Sequence, residues 1–221
     1  MQRAVVRSNA RTLISVACVG AIAASLGDLM MLYVGNAQRP ELHLAAPPAA
    51  VLWVGAALGV IGIPVYGLGY LGLRARFVRR ARTAANVLAG AGLAACAVGA
   101  VVHALTALAI DASSGSSAPS QAPLEAVAGT RGALGTSWLV CGVAFAAASA
   151  AFAYLQGRRA VGSARWLAAA NPLAITVALI ALSVPFEWGR SFVAPAAPNL
   201  SHVVFFLVWS VRRLAVATEV E

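Results

Sequence analysis

Among 221 residues the chain carries only seven carboxylates and three histidines. Four of these ten sit inside, or at the margin of, long apolar stretches: Asp28, His103, Glu187 and His202. A carboxyl group and an imidazole exchange protons near neutral pH, so such a set, brought together, forms an acid–base centre. An ionised carboxylate in hydrocarbon is costly unless it is paired, hydrated or protonated. Asp28 is therefore expected to face the interior of the protein, with His103, His202 or Arg190 as its partner. These four are the candidate catalytic residues, and Tyr33, Tyr66, Trp188, Arg190 and Asn199 are the candidate substrate contacts. A plainer reading stands beside this one. Asp28 then only bonds neighbouring helices, Glu187 and Arg190 form a surface ion pair, both histidines sit at a wet interface, and Tyr33 and Trp138 belong to an aromatic belt.

Other chemistry finds little support. There is no GxSxG elbow, phosphate-binding loop, HExxH pair or dinucleotide-type glycine turn. Gly67-Leu68-Gly69 lies within an apolar run. Cys18, Cys96 and Cys141 share no metal-like spacing and read as small core residues, so neither a metal nor a cofactor is expected. His43, Asp111 and Glu125 read as loop residues.

The elements that must hold the candidates are apolar helices. Hydrophobic residues make up 61% of the chain and charged ones 10%, with a mean hydropathy of +0.82. A soluble domain carries about 25% charge. Stretches of bilayer length fall near 12–35, 50–73, 84–110, 134–156, 166–187 and 199–217. This predicts an all-α, six-span bundle forming one domain over 1–221. The last span is the weakest, because Arg212 and Arg213 interrupt it. The run continuing through Leu29 to Val34 makes the first stretch a retained span rather than a cleaved signal. No internal repeat is visible.

The formal charge is +9, and all 16 basic residues are arginine. Arg3, Arg7, Arg11, Arg74, Arg76, Arg79, Arg80, Arg82, Arg158, Arg159, Arg165, Arg212 and Arg213 fall on one side of the expected bundle; Arg39, Arg131 and Arg190 fall on the other. The positive-inside rule then puts both termini in the cytoplasm and the chain in the inner (cytoplasmic) membrane. Topology accounts for the basic excess, so no nucleic-acid partner is expected, although the 74–82 segment suits anionic lipid headgroups. On this orientation Asp28, His103, Glu187 and His202 share the outer leaflet. Gly55, Gly59, Gly62, Tyr66 and Gly69 line one face of the second span and read as a helix-packing seam. The Ser- and Pro-rich stretch between Asp111 and Arg131 reads as a flexible connector.

The run from Gly27 to Tyr33, the Gly- and Tyr-rich second span, His103, and Pro198-Asn199-Leu200-Ser201-His202 together resemble an uncharacterised family of bacterial six-span integral membrane proteins. That resemblance covers most of the chain and implies no activity. Gly27-Asp28 and the isolated acids bear a weaker likeness to small membrane-embedded enzymes of lipid and isoprenoid metabolism, including terpene cyclases and lysoplasmalogenase-like hydrolases. That likeness implies acid–base work, with Asp28 and Glu187 as the carboxyl pair and His103 and His202 as proton partners. The expected function is isomerase, cyclase or hydrolase chemistry on a lipid- or isoprenoid-like substrate. A small-molecule or ion-coupled transporter and a non-catalytic membrane subunit are the alternatives. The expected partners are membrane lipid and an apolar small molecule, with a homo-oligomer left open.

Overall fold

A computed structural model describes residues 2–37, 39–45, 47–79, 81–114, 121–157 and 166–218. These are helical: α1 Gln2–Asn36, α2 Ala49–Phe77, α3 Arg82–Ser114, α4 Gln121–Gly157, α5 Trp166–Ala169, α6 Pro172–Ser183 and α7 Ala194–Thr218, with no strand among the described residues. A 3-10 turn at Pro40–Leu42 precedes α2, and a π-helical turn at Gly189–Val193 leads into α7. Five helical segments are long and apolar enough to cross a membrane: Asn9–Asn36, Ala49–Phe77, Arg82–Ala112, Gly132–Gly157 and Gly189–Ser210. Arg80, Arg158, Arg159 and Arg165 lie outside the described residues, as do the side chains of Arg3, Arg7, Glu125, Arg131, Arg212 and Arg213.

The first four expected spans are each a single helix, longer than their apolar cores. The fifth is not continuous. Asn171 caps α6, its side chain accepting from the Ala174 N–H at 3.0 Å, and Pro172 takes the first turn, where a missing N–H costs nothing. Pro185 follows closely after the other end, and α6 keeps only 12 residues, about 18 Å of rise against about 30 Å of hydrocarbon. The sixth segment starts earlier than expected. Residues 194–198, which precede the expected span, are the first turns of α7. Proline is tolerated there: Pro195 has no N–H to offer the Ser191 carbonyl, and that carbonyl accepts from Asn36 Nδ2 at 3.1 Å. The connector after Asp111 is also shorter than expected, because α4 already begins at Gln121.

Glycine sets how the helices pack. A Cβ on Gly62 would lie 2.7 Å from the Gly20 carbonyl oxygen, and one on Gly55 2.9 Å from that of Gly27. The glycine face of α2 is thus a seam against α1, where backbones touch. α1 and α2 run antiparallel, as do α2 and α3, whose ends are tied by Arg74 Nε donating to Asn86 Oδ1 at 2.8 Å. α4 and α7 run in the same direction. Phe145 on α4 lies over His202 with centroids 5.3 Å apart, and one helical turn or more further along Phe152 meets Phe205 and Trp209. The segment between them must therefore return along the length of the bundle, although its main helix is short.

The bundle has two unlike ends. At the Arg76 end, where α1 starts and α7 finishes, Phe77, Phe152, Phe205, Phe206 and Trp209 form a buried aromatic block with largely edge-to-face contacts. Arg76 lies over the Trp209 ring at 5.2 Å. The Arg39 end is polar. Arg39 bonds Glu41, Asn36, Ser191 and Glu187, thereby tying the end of α1 to the π-helical turn.

Candidate functional site

Between these ends the polar side chains of four helices converge. Asp28, about two turns before the end of α1, faces inward with 14% of its side chain exposed, and His103 of α3 is almost wholly buried at 3%. His103 Nδ1 lies 3.2 Å from Asp28 Oδ1. His103 Nε2 lies 3.1 Å from the Gly55 carbonyl oxygen, which can only accept, so Nε2 carries a hydrogen. The slot for this imidazole is cut by a missing side chain: a Cβ on Gly59 would fall inside the His103 ring. The packing seam is therefore also what admits the histidine.

On its other side Asp28 Oδ2 accepts from Asn199 Nδ2 at 2.7 Å, and Asn199 Oδ1 accepts from the Tyr66 hydroxyl at 3.0 Å. The chain of bonds thus runs from Tyr66 through Asn199 and Asp28 to His103. With Nε2 committed to Gly55, one further proton on this pair can reside on Asp28 or on His103 Nδ1. On oxygen it gives a neutral pair, on nitrogen an ion pair. Either way the pair has no net charge, which lets it persist in an apolar surround.

A cavity of about 110 Å³ opens beside this pair. Asp28, His103, Tyr66 and Asn199 supply its polar wall, while Met31, Ile63 and Val102 help to form the apolar one. Trp138 of α4, which is 45% exposed, and the exposed Pro195 of α7 stand at its margin. The volume is well below the roughly 300 Å³ at which pockets for whole drug-sized ligands begin.

His202 occupies the next layer rather than the cavity. Its Nδ1 lies 2.7 Å from the Pro198 carbonyl oxygen and so donates, leaving Nε2 to accept from the Tyr70 hydroxyl at 2.8 Å. Both nitrogens are satisfied in the neutral form, and the ring stacks on Tyr66 with centroids 4.4 Å apart. It supports Tyr66 from behind.

Glu187, expected beside Asp28 in a carboxyl pair, is instead at the Arg39 end. It receives hydrogen bonds from Arg39 and Arg190 and does not line the cavity. Arg190 also donates to the Val184 carbonyl. Trp188 is exposed and stacks on Phe192, and Tyr33 donates to the Ala45 carbonyl at 3.0 Å; neither reaches the cavity. Of the nine expected residues, the structure gathers Asp28, His103, Tyr66 and Asn199 around one space, with His202 behind Tyr66. Thr106 and Cys141 also line it, though nothing in their sequence surroundings marked them. No group of three or more His, Cys, Asp or Glu residues arranged to hold a metal occurs among the described residues.

A bundle of long apolar helices enclosing a satisfied polar cluster is the form of a multi-pass membrane protein. The chain belongs to a family of unknown function (DUF6796), whose model matches residues 6–213. No curated protein and no solved structure matches it.

Proposed function

We propose that this protein is a membrane-embedded acid–base enzyme, with the Asp28–His103 pair as its proton-transferring group and a lipid- or isoprenoid-like substrate whose polar end enters the adjoining cavity. The observation that carries this reading is the 3.2 Å approach of His103 Nδ1 to Asp28 Oδ1 at the wall of a space with half-exposed apolar margins. Such a pair can deliver a proton from Asp28 to an alkene, vinyl ether or carbonyl oxygen while Tyr66 and Asn199 hold the carboxyl in place. The carboxyl and imidazole together replace the two carboxylates that the sequence alone suggested.

The arrangement argues against a carrier. Polar groups run from the Arg39 end to the Tyr70–His202 layer, beyond which the buried aromatic block closes the bundle. A carrier needs polar groups at successive depths on both sides. The arginine distribution supports an inner-membrane protein with both termini cytoplasmic, and the returning segment before α7 supports six crossings.

The test is to reconstitute the full chain in nanodiscs with a total lipid extract from its native membrane and to follow the extract by mass spectrometry. The wild-type protein is expected to convert one lipid class, and both Asp28→Asn and His103→Gln to slow that conversion by about 100-fold or more. An extract left unchanged by the wild type, or converted equally by both variants, rules the reading out.

A further inference from the structure

The charges around the cavity restrict what can enter it. Inside, Asp28 and His103 form a pair that carries no net charge when it holds one proton beyond the Nε2 hydrogen, and among the described side chains no arginine lines the space. At the Arg39 end, towards which the cavity margin at Pro195 faces, Arg39 is engaged by Glu41 and Glu187, and Arg190 by Glu187. Of the side chains described there, Arg39 and Arg190 are thus both engaged by carboxylates. Among the described side chains, neither the cavity nor this end presents an uncommitted arginine with which to receive an anion. The remaining lining is Thr106, Cys141 and apolar side chains, and the Thr106 hydroxyl is occupied by the Val102 carbonyl at 2.8 Å.

We infer that the cavity accepts the end of an apolar molecule carrying one uncharged oxygen function, an alcohol, aldehyde or ketone on a long hydrocarbon tail, and discriminates against phosphate esters. The inference rests on reading the Asp28–His103 cavity as the substrate site. A hydroxyl or carbonyl oxygen fits the space and can accept from whichever of the Asp28 carboxyl and His103 Nδ1 carries a proton, and a hydroxyl can donate to the other. A phosphate brings charge that must shed its water, and here it meets Asp28 with no arginine to offset it. The tail finds Trp138 and Pro195 at the margin, and the exposed Leu139 and Val143 continue along the outer face of α4. Polar recognition is thus confined to the last few atoms of the ligand.

The experiment uses two photoreactive probes of equal chain length, a diazirine-bearing long-chain alcohol and its phosphate monoester. Each is added to the full chain in phosphatidylcholine nanodiscs, and the adducts are mapped by mass spectrometry. The informative sites are Asp28 and Met31, whose side chains are largely or wholly inside the bundle and beyond reach of a probe lying on its lipid-facing surface. The alcohol is expected to label them at least about tenfold more than the phosphate ester, a difference of about 1.4 kcal/mol, and unlabelled alcohol is expected to compete. Equal or stronger labelling by the phosphate ester overturns the inference but leaves acid–base turnover of the lipid extract standing. Labelling of these sites by neither probe overturns it as well. Turnover of a phosphate-bearing lipid in that extract would have the same consequence while supporting the enzyme.

Discussion

The two halves of this bundle solve the same problem, filling the space between helices, with opposite materials. Towards the Arg76 end the interior is closed by Phe77, Phe152, Phe205, Phe206 and Trp209, ring against ring. Towards the Arg39 end it is filled by Tyr66, Asn199, Asp28 and His103, bond to bond, beside a cavity. The aromatic half gains from dispersion and shape, although it also buries Gln156 and the Trp209 indole nitrogen. The polar half is held by groups that would each be costly if left unpaired, and its void shows that close packing is not what it is built for. Stability is expected to be concentrated in the first half and chemistry in the second.

The largest effect should follow from hollowing the aromatic half. Phe152→Ala removes a wholly buried ring that touches three others, and is expected to cost about 3–5 kcal/mol in unfolding measured in detergent. Labelling of the cavity under folded conditions should be unchanged. If labelling at Asp28 is lost as well, the two halves are not separable. Gly59→Ala is the counterpart in the polar half. Its new methyl group takes the place of the His103 ring, so the imidazole must leave Asp28 and Gly55, at an expected cost of about 2–4 kcal/mol together with loss of turnover. Gly90→Ala is the control, because nothing lies within 4 Å of its Cβ; it should leave stability the same or raise it by up to about 1 kcal/mol. Smaller again is Tyr70→Phe at the boundary, which deprives His202 Nε2 of its donor and should cost about 1–3 kcal/mol. A fall in turnover is expected with it only if the Tyr66 ring, stacked on His202, shifts.

The two halves differ just as much in how far the sequence revealed them. Bilayer-length apolar runs locate four of the long helices because hydropathy is a local property. The glycine face of α2 was readable for the same reason, as periodicity. Asp28 and His103 stood out because ionisable groups are costly in such runs. What was hidden depended on contacts distant in sequence. Glu187 resembles Asp28 as a lone acid; its pairing with Arg190 three residues on was legible as the plainer reading, whereas its bond from Arg39, on a loop distant in sequence, is one that no local pattern reports. His202 and His103 look alike in sequence. They differ because one has a tyrosine donor and a proline carbonyl for its nitrogens and the other a carboxylate. The breaks at Asn171-Pro172 and after Ser183 carried recognisable helix-stop signals, but in a run this apolar they were outweighed by length. The early start of α7 through Pro195 and Pro198 depends on the π-helical turn before it, which no residue pattern announces.

The smallest predicted effect tests whether the Arg39 end is a surface clasp or part of the polar interior. Glu41 is fully exposed, and its carboxyl is held below its ordinary value of 4.5, first by a hydrogen bond from its own backbone N–H and then by one from the Arg39 side chain. A carboxylate whose folded value is lowered contributes stability that is fully present above its ordinary value and lost as the pH falls through the lowered one. The difference in melting temperature between wild type and Glu41→Gln should therefore be small and constant well above pH 4.5, and shrink as the pH falls below it. It should also shrink in high salt, since the Arg39–Glu41 pair is open to solvent on both sides. Labelling of Asp28 by the alcohol probe should be indifferent to the substitution. If Glu41→Gln instead weakens that labelling, the clasp reaches the cavity through Arg39 and Ser191, and the charge balance at this end governs entry as well as holding α1 against the π-helical turn.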